Sequence, residues 1–569
     1  MEKQVGVVLS RVKPFEVEIL VFESYLKSKD ILWNALVKIP YDDGFALGIV
    51  VDYERTNPIM EDKELVKTLS RLLDENMIVQ TMKEKRELVS AKVKLVSAFD
   101  KNMKRVNFNV PIDVGAKVYR VTGKEFILHN FKPYYLGKFY GENIYQPLYI
   151  ADFQMLEEAF HFVVAGQTGS GKSTFVMMLL CLYAKASAEK NDNNKMNFFI
   201  ISPVPEFRKA FEGEKVGRFG LNVREVFTSL GYEIKIYDHR NLAFGRWEIL
   251  KELLNEYDLF EILRIKRPEY KERAIEVFVE MLKYKTTLKS LGTFSKDVQQ
   301  IIEDIITSPE FANNVYKDSR SVDMLLNDAK EKKEEFLQKL HKIAEFFNLQ
   351  IRIPIESVVS KLIKDKGKGK VIVIETSYGN DLQIQRMVIK EIIDKLKHIG
   401  LQQYEENPRI NLNTLVVFDE AHNYVPKYVP KEDEYLQRLK ESIIKAYAET
   451  RKFGIGWMTI STRLSLLDKH IYQHARVKII GYGLTTGEDA DILKEDFGKE
   501  NLERYWSFAD PSDPLIKDTS YSFLISGPIT IISRREPELI TAFSSVQEFL
   551  TINGLTCPIK SDVNYSSLK

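Results

Sequence analysis

Gly166-Gln167-Thr168-Gly169-Ser170-Gly171-Lys172-Ser173 matches G-x-x-x-x-G-K-[ST] at every fixed position. Such a loop turns successive backbone N–H groups toward phosphate oxygens, and its glycines permit the angles this needs. A helix starting at its end adds a positive pole. Lys172 then reaches the β- and γ-phosphates, Ser173 ligates Mg²⁺, and Thr174 is the next nucleotide contact along the turn. A second constellation lies far downstream, where the apolar run Leu415-Val416-Val417-Phe418 ends in Asp419-Glu420. Asp419 is placed to bind the nucleotide's Mg²⁺ through its water shell, and Glu420 to polarise the attacking water as a general base. ATP and Mg²⁺ are therefore the expected substrate and cofactor.

Three further groups fit the same chemistry. Glu206 follows the run Phe198 to Ile201 and either helps to place the water or is a surface carboxylate, as most glutamates are. Arg451, in Glu449-Thr450-Arg451-Lys452-Phe453-Gly454, either stabilises charge on the transferring phosphoryl group or complements a helix C-terminus. Ser461-Thr462-Arg463 closes the next apolar run, with Ser461 and Thr462 placed where a γ-phosphate sensor would hydrogen-bond. Arg463 is either a second phosphate-facing arginine or a plain surface one.

These residues need elements to hold them. Phe162 to Ala165, Phe198 to Ile201, Glu233 to Tyr237, Val371 to Ile374, Leu415 to Phe418 and Trp457 to Ile460 are short runs with little polar alternation, separated by helical stretches. That pattern predicts a parallel sheet covered on both faces. The fold expected is α/β: a RecA-like P-loop core, preceded by a small β-barrel and interrupted by a helical insertion. Residues 1–110 hold short β-branched runs, a polar helical stretch from Asp62 to Asn76, and another run from Ala91 to Val96; they are expected to form the barrel and a connector. Residues 111–245 and 351–540 are the two parts of the core. Residues 246–350 repeat apolar positions at helical spacing, including Ala274, Val277, Phe278, Met281 and Leu282, and form the insertion; 541–569 are a tail. The mixed-sign run Lys330 to Glu335 is expected to be a solvated helix face.

Composition limits the alternatives. The 569 residues carry a formal net charge of +1, so any DNA contact must come from a local basic patch and not from an overall excess. Two cysteines, Cys181 and Cys557, make neither a disulfide framework nor a cysteine zinc site. The longest apolar run, Phe175 to Ala184, is about half of what a spanning helix needs, so no membrane association and a cytoplasmic location are expected.

Together the motifs resemble the HerA branch of the HerA–FtsK superfamily of P-loop ATPases. The resemblance is carried by Gly166 to Ser173, Phe418-Asp419-Glu420-Ala421-His422, Thr450 to Gly456, Ser461-Thr462-Arg463, and the closing segment Tyr521 to Gly527. It implies a homo-hexameric ring that hydrolyses ATP to move double-stranded DNA. It also implies that the barrel docks a NurA-like nuclease in the resection of DNA ends. A DNA-packaging or conjugation pump would use the same chemistry, and a secretion ATPase or a nucleotide-gated scaffold belongs to a different class. Two segments depart from the family pattern. The acidic, His-containing stretch after the second strand reads Ser202-Pro203-Val204-Pro205-Glu206-Phe207, and the Ser-Gln-Arg-Pro sensor reads Ser461-Thr462-Arg463-Leu464.

Overall fold

The computed structural model describes residues 3–28, 32–56, 88–102, 104–123, 132–190, 194–215, 217, 219–364, 368–376, 382–408, 411–513, 520–533 and 536–555. The helix expected from Asp62 to Asn76 and Cys557 lie outside them.

The N-terminal strands are β1 (Gln4–Lys13), β2 (Glu16–Val21), β3 (Leu36–Tyr41), β4 (Gly44–Thr56), β5 (Leu88–Phe99), β6 (Arg105–Val106) and β7 (Lys117–Arg120). Their order is β2-β1-β7-β3-β4-β5-β6, and a further pairing of β2 with β5 closes the sheet into a barrel. Alternation does the work: Val17, Ile19 and Val21 of β2 and Val89, Ala91 and Val93 of β5 turn into one small core. Strand β7, between β1 and β3 in the barrel, lies past the expected boundary at residue 110. Its four residues are too few to stand out as a strand by pattern, and pairing with β1 and β3 is what defines it.

The second sheet has eleven strands. They are β8 (Tyr134–Phe139), β9 (Tyr145–Leu148), β10 (His161–Ala165), β11 (Asn197–Ser202), β12 (Glu233–Asp238), β15 (Lys370–Glu375), β16 (Thr414–Phe418), β17 (Ile455–Ser461), β18 (Ala475–Gly481), β19 (Ser522–Ser526) and β20 (Glu538–Ala542). The order is β12-β15-β11-β16-β17-β10-β18-β19-β20-β8-β9. From β12 to β18 every pairing is parallel; from β18 to β9 every pairing is antiparallel. Successive residues of β10 serve opposite faces. Val163 and Ala165 pack with the helices Leu382–Glu406 and Glu434–Glu449, while Phe162 and Val164 pack with the helix Lys172–Glu189. Residues 541–555, expected to be a tail, supply the end of β20 and the helix Val546–Ile552, which covers the sheet's antiparallel side. The sequence hid this because β20 is short and sits among turn residues.

The insertion is helical, as its periodicity predicts, and its ends are tied by a small parallel pair, β13 (Leu242–Ala243) with β14 (Ile353–Pro354). Its core residues, among them Phe260, Phe278 and Phe336, join the hydrophobic cluster on one face of the large sheet. Lys330 to Glu335 lies on the helix Ser319–Ala344, and none of the six is buried.

The barrel is held against the core by a buried polar contact. Arg504 is 3 % exposed, and its Nε donates to Asn34 Oδ1 at 2.8 Å while Nη1 donates to Asn501 Oδ1 at 3.0 Å. Among the described residues no carboxylate bonds it directly, and burial pushes its pKa down to about 10. Arg120 of β7 adds an ion pair to Glu142, just before β9.

Candidate nucleotide-hydrolysis site

The parallel strands bring their C-terminal ends to one edge, where ligands of open α/β sheets bind. The phosphate loop follows β10, Asp419-Glu420 follows β16, and Glu206 follows β11. Strand β17 lies between β16 and β10, so the cradle and the carboxylates sit two strand positions apart. They share one cavity of about 480 Å³, lined by Thr168, Gly169, Gly171, Lys172, Ser173 and Thr174 from the loop and by Glu206, Asp419 and Glu420 from its neighbours.

Gly169 and Gly171 have φ of 85° and 84°, left-handed angles that favour glycine. Lys172 starts the helix, with its Nζ donating to Gly166 O at 2.7 Å and Gln167 O at 3.0 Å. Burial lowers its pKa, and the nearby carboxylates Glu420, Asp419 and Glu206 oppose that shift. The loop is braced from below, because Gln167 N donates to Tyr482 O at 2.9 Å.

Asp419 is 3 % exposed. Its Oδ2 accepts from Ser202 Oγ at 2.8 Å and its Oδ1 from Glu420 N at 3.1 Å. Burial, with Glu420 and Glu206 nearby, pushes its pKa up to about 7 despite the Ser202 bond. Glu420 holds a left-handed backbone, φ 46° and ψ 47°. For a residue with a Cβ that costs about 1–2 kcal/mol, and such outliers cluster at functional sites. Its Oε2 is buried and makes no hydrogen bond; His422 Nδ1 stands 3.4 Å away without hydrogen-bond geometry.

These residues fit a magnesium nucleotide. Glu420 Oε2 is a buried polar atom without a protein partner at the cavity, which water would satisfy. Among the described residues no group of three His, Cys, Asp or Glu side chains could hold a metal alone. A cation here needs phosphate and water oxygens to complete its shell, as Mg²⁺ at nucleotide sites does. Ser173 and Asp419 would hold it, and it would neutralise developing phosphate charge.

Residues 135–396 match the family described as "Helicase HerA, central domain". The DNA double-strand break repair helicase HerA of Saccharolobus solfataricus is 22 % identical over 510 residues, covering 86 % of each chain. That of Sulfolobus acidocaldarius is 22 % identical over 460 residues, covering 78 % of this chain and 77 % of the relative. The chain carries a P-loop ATPase core similar in sequence to that of HerA helicases. Among solved structures, VirB4 of Thermoanaerobacter pseudethanolicus is similar with a TM-score of 0.36 and 13 % identity, over 74 % of this chain and 99 % of that one; the assignment rests on the sequence matches.

The HerA-like chain is thus an ATP-hydrolysing enzyme, and its remaining expected residues sort by sheet edge. Thr462 and Arg463 follow β17 and stand at the nucleotide edge, but neither lines the cavity. Ser461 Oγ is used in its own turn: it donates to Arg463 O at 2.8 Å and accepts from Arg463 N. The Arg463 guanidinium lies 4.0 Å from Asp489 and is mostly exposed. Arg451 precedes β17, so it lies at the opposite edge of the sheet, with its carbonyl accepting from Ala159 N beside the start of β10. A strand of seven residues puts about 20 Å between it and this chain's own phosphate loop. There Arg451 Nη2 bonds Glu158 Oε1 at 2.5 Å, and Arg476 Nη1 lies 3.5 Å from Glu158 Oε2.

Three residues of this HerA-like site escaped sequence reading. Ser202 orients Asp419. Lys209, one turn along the helix from Glu206, lines the cavity, as does Tyr521. A polar residue at the end of an apolar run signals Ser202, but nothing local marks Tyr521.

Proposed function

We propose that the chain is an ATP-driven motor on double-stranded DNA that works as a homo-hexameric ring and partners a NurA-like nuclease in processing DNA ends. The observation that carries this reading is the split of the catalytic set between opposite sheet edges. Cradle and carboxylates occupy one edge and Arg451 the other, as expected where each site is finished by a neighbouring subunit. Head-to-tail contacts of that kind close into rings. The relatives' designation as DNA double-strand break repair helicases supports DNA as the track.

Within one subunit the steps follow from the geometry. The loop amides and Lys172 bind the triphosphate. Glu420, one residue beyond Asp419, accepts a proton from the attacking water, and its left-handed backbone fixes where that carboxylate points. Glu206 borders the same cavity and helps to order water.

The test is ATP turnover with and without duplex DNA, together with co-elution of a NurA-like nuclease with the full-length chain. A motor on DNA is stimulated by the duplex; turnover indifferent to DNA points to a different cargo. Retention of the nuclease supports the repair role, and its absence removes that half of the reading.

The grip on DNA is assigned to the loop after the carboxylates. Lys427 N donates to Leu466 O at 2.8 Å, Pro426 bridges Leu467, and Lys440 Nζ contacts both Lys427 O and Asp468. The loop from β16 and the segment after β17 therefore move as one unit. Tyr428 is 78 % exposed at its tip, and Lys431 is exposed as well. Lys427 pairs with Glu488, so DNA phosphate must displace that carboxylate. Replacing Lys427 and Lys431 with Ala should weaken duplex binding and reduce the salt slope by about one to two, while DNA-free turnover holds. An unchanged slope moves the contact to other residues, beginning with Arg208.

A further inference from the structure

The cavity has two chemically different ends. Lys172, Asp419, Glu420 and Glu206 are close enough that the three carboxylates act on the lysine's charge, and they mark where the γ-phosphate belongs. Away from them lie Thr174, Gly217 and Tyr521, beside the exposed Glu214 and Lys215. Backbone at Gly217 passes close to the first turn of the helix: a Cβ there would stand 3.3 Å from Thr174 Oγ1. A triphosphate with its γ end at the carboxylates runs its α end toward Ser173 and Thr174, so the nucleoside leaves on the Thr174 side.

Tyr521 is fixed at that exit. It directly precedes β19, whose antiparallel pairing with β18 brings its first residues to the nucleotide edge, with Phe523 opposite Gly481. Its carbonyl accepts from Ala542 N at 2.7 Å. Its ring lies against the phosphate loop: a Cβ on Gly171 would fall 2.3 Å from the ring's Cγ and 2.6 Å from both Cδ atoms. Position 171 is thus glycine for two reasons, its left-handed φ and this ring. Half-buried and packed against the core, the ring still borders the cavity.

We infer that Tyr521 is the aromatic platform on which the base of the bound nucleotide stacks. The assignment rests on the chain binding ATP in this cradle and adds the group that holds the nucleoside. Stacking on an aromatic face is tolerant of base identity, because every base has a π-face. The site then depends on a base being present and discriminates weakly among bases.

The experiment compares ATP with inorganic tripolyphosphate, which carries the phosphates and no base. Tyr521→Leu should raise the KM for ATP about tenfold and leave kcat within about twofold, as expected for an interaction made equally in ground and transition states. Inhibition by tripolyphosphate should stay within about twofold of the parent, and Tyr521→Phe should behave as the parent does. If tripolyphosphate affinity fell by the same factor as ATP affinity, Tyr521 would only prop Gly171, and the stacking assignment would fail. An unchanged KM would overturn it too. A parent enzyme that neither hydrolysed ATP nor bound tripolyphosphate would remove the cradle reading, and the stacking assignment with it.

Discussion

Glu420→Gln is expected to bind ATP as the parent does and to lose turnover by about 10²–10⁴-fold, the usual weight of a positioned general base. The side chain keeps its size and its place after Asp419, and only its ability to take a proton changes. The backbone at 420 is already left-handed, a conformation glutamine tolerates no worse than glutamate. Lys172→Ala is the companion. It removes the ammonium from the phosphates, so nucleotide binding and turnover fall together. Folding should persist, because the lysine's present partners are two carbonyls of the phosphate loop itself. Isothermal binding of a non-hydrolysable ATP analogue beside steady-state turnover separates the two variants. Near-parental turnover by Glu420→Gln would falsify the general-base role and shift attention to Glu206, another carboxylate bordering the cavity.

Arg451→Ala should be as damaging as Glu420→Gln, for a different reason. Arginine fingers are worth about 10³–10⁵ in rate, and Arg451 stands at the sheet edge away from its own cradle. The loss should therefore be complemented across subunits. Mixing Arg451→Ala chains with Glu420→Gln chains gives about a quarter of interfaces with an intact carboxylate on one side and an intact arginine on the other. Turnover should recover in the mixture although each parent variant is inactive. Glu158 bears on the reading, since its carboxylate now holds Arg451 and must give it up when a neighbour's phosphate arrives. Arg451 is only part-buried there, so the ion pair is a weak competitor. Thermal stability of Arg451→Ala should accordingly stay close to parental. Failure to recover in well-exchanged rings, or a large fall in stability, would make Arg451 a structural residue.

The cradle and the carboxylates were legible from the chain alone because their chemistry is local. Eight consecutive residues build the loop, and an apolar run ending in Asp419-Glu420 builds the other half. Helical periodicity likewise marked the insertion, and unalternated apolar runs marked the buried parallel strands. Where the reading fell short, the decisive contacts join residues remote in sequence. Strand β7 exists as a strand through β1 and β3, and β20 through β19 and β8. The hydroxyl of Ser461 looked like a sensor until its turn with Arg463 was seen to use it. Arg451 and Arg463 stand twelve positions apart in the chain, flanking one strand. Only the sheet decides that they face opposite edges, because an extended strand carries its two ends about 20 Å apart. Tyr521 reaches the phosphate loop for the same kind of reason: an antiparallel return strand brings it there from far downstream.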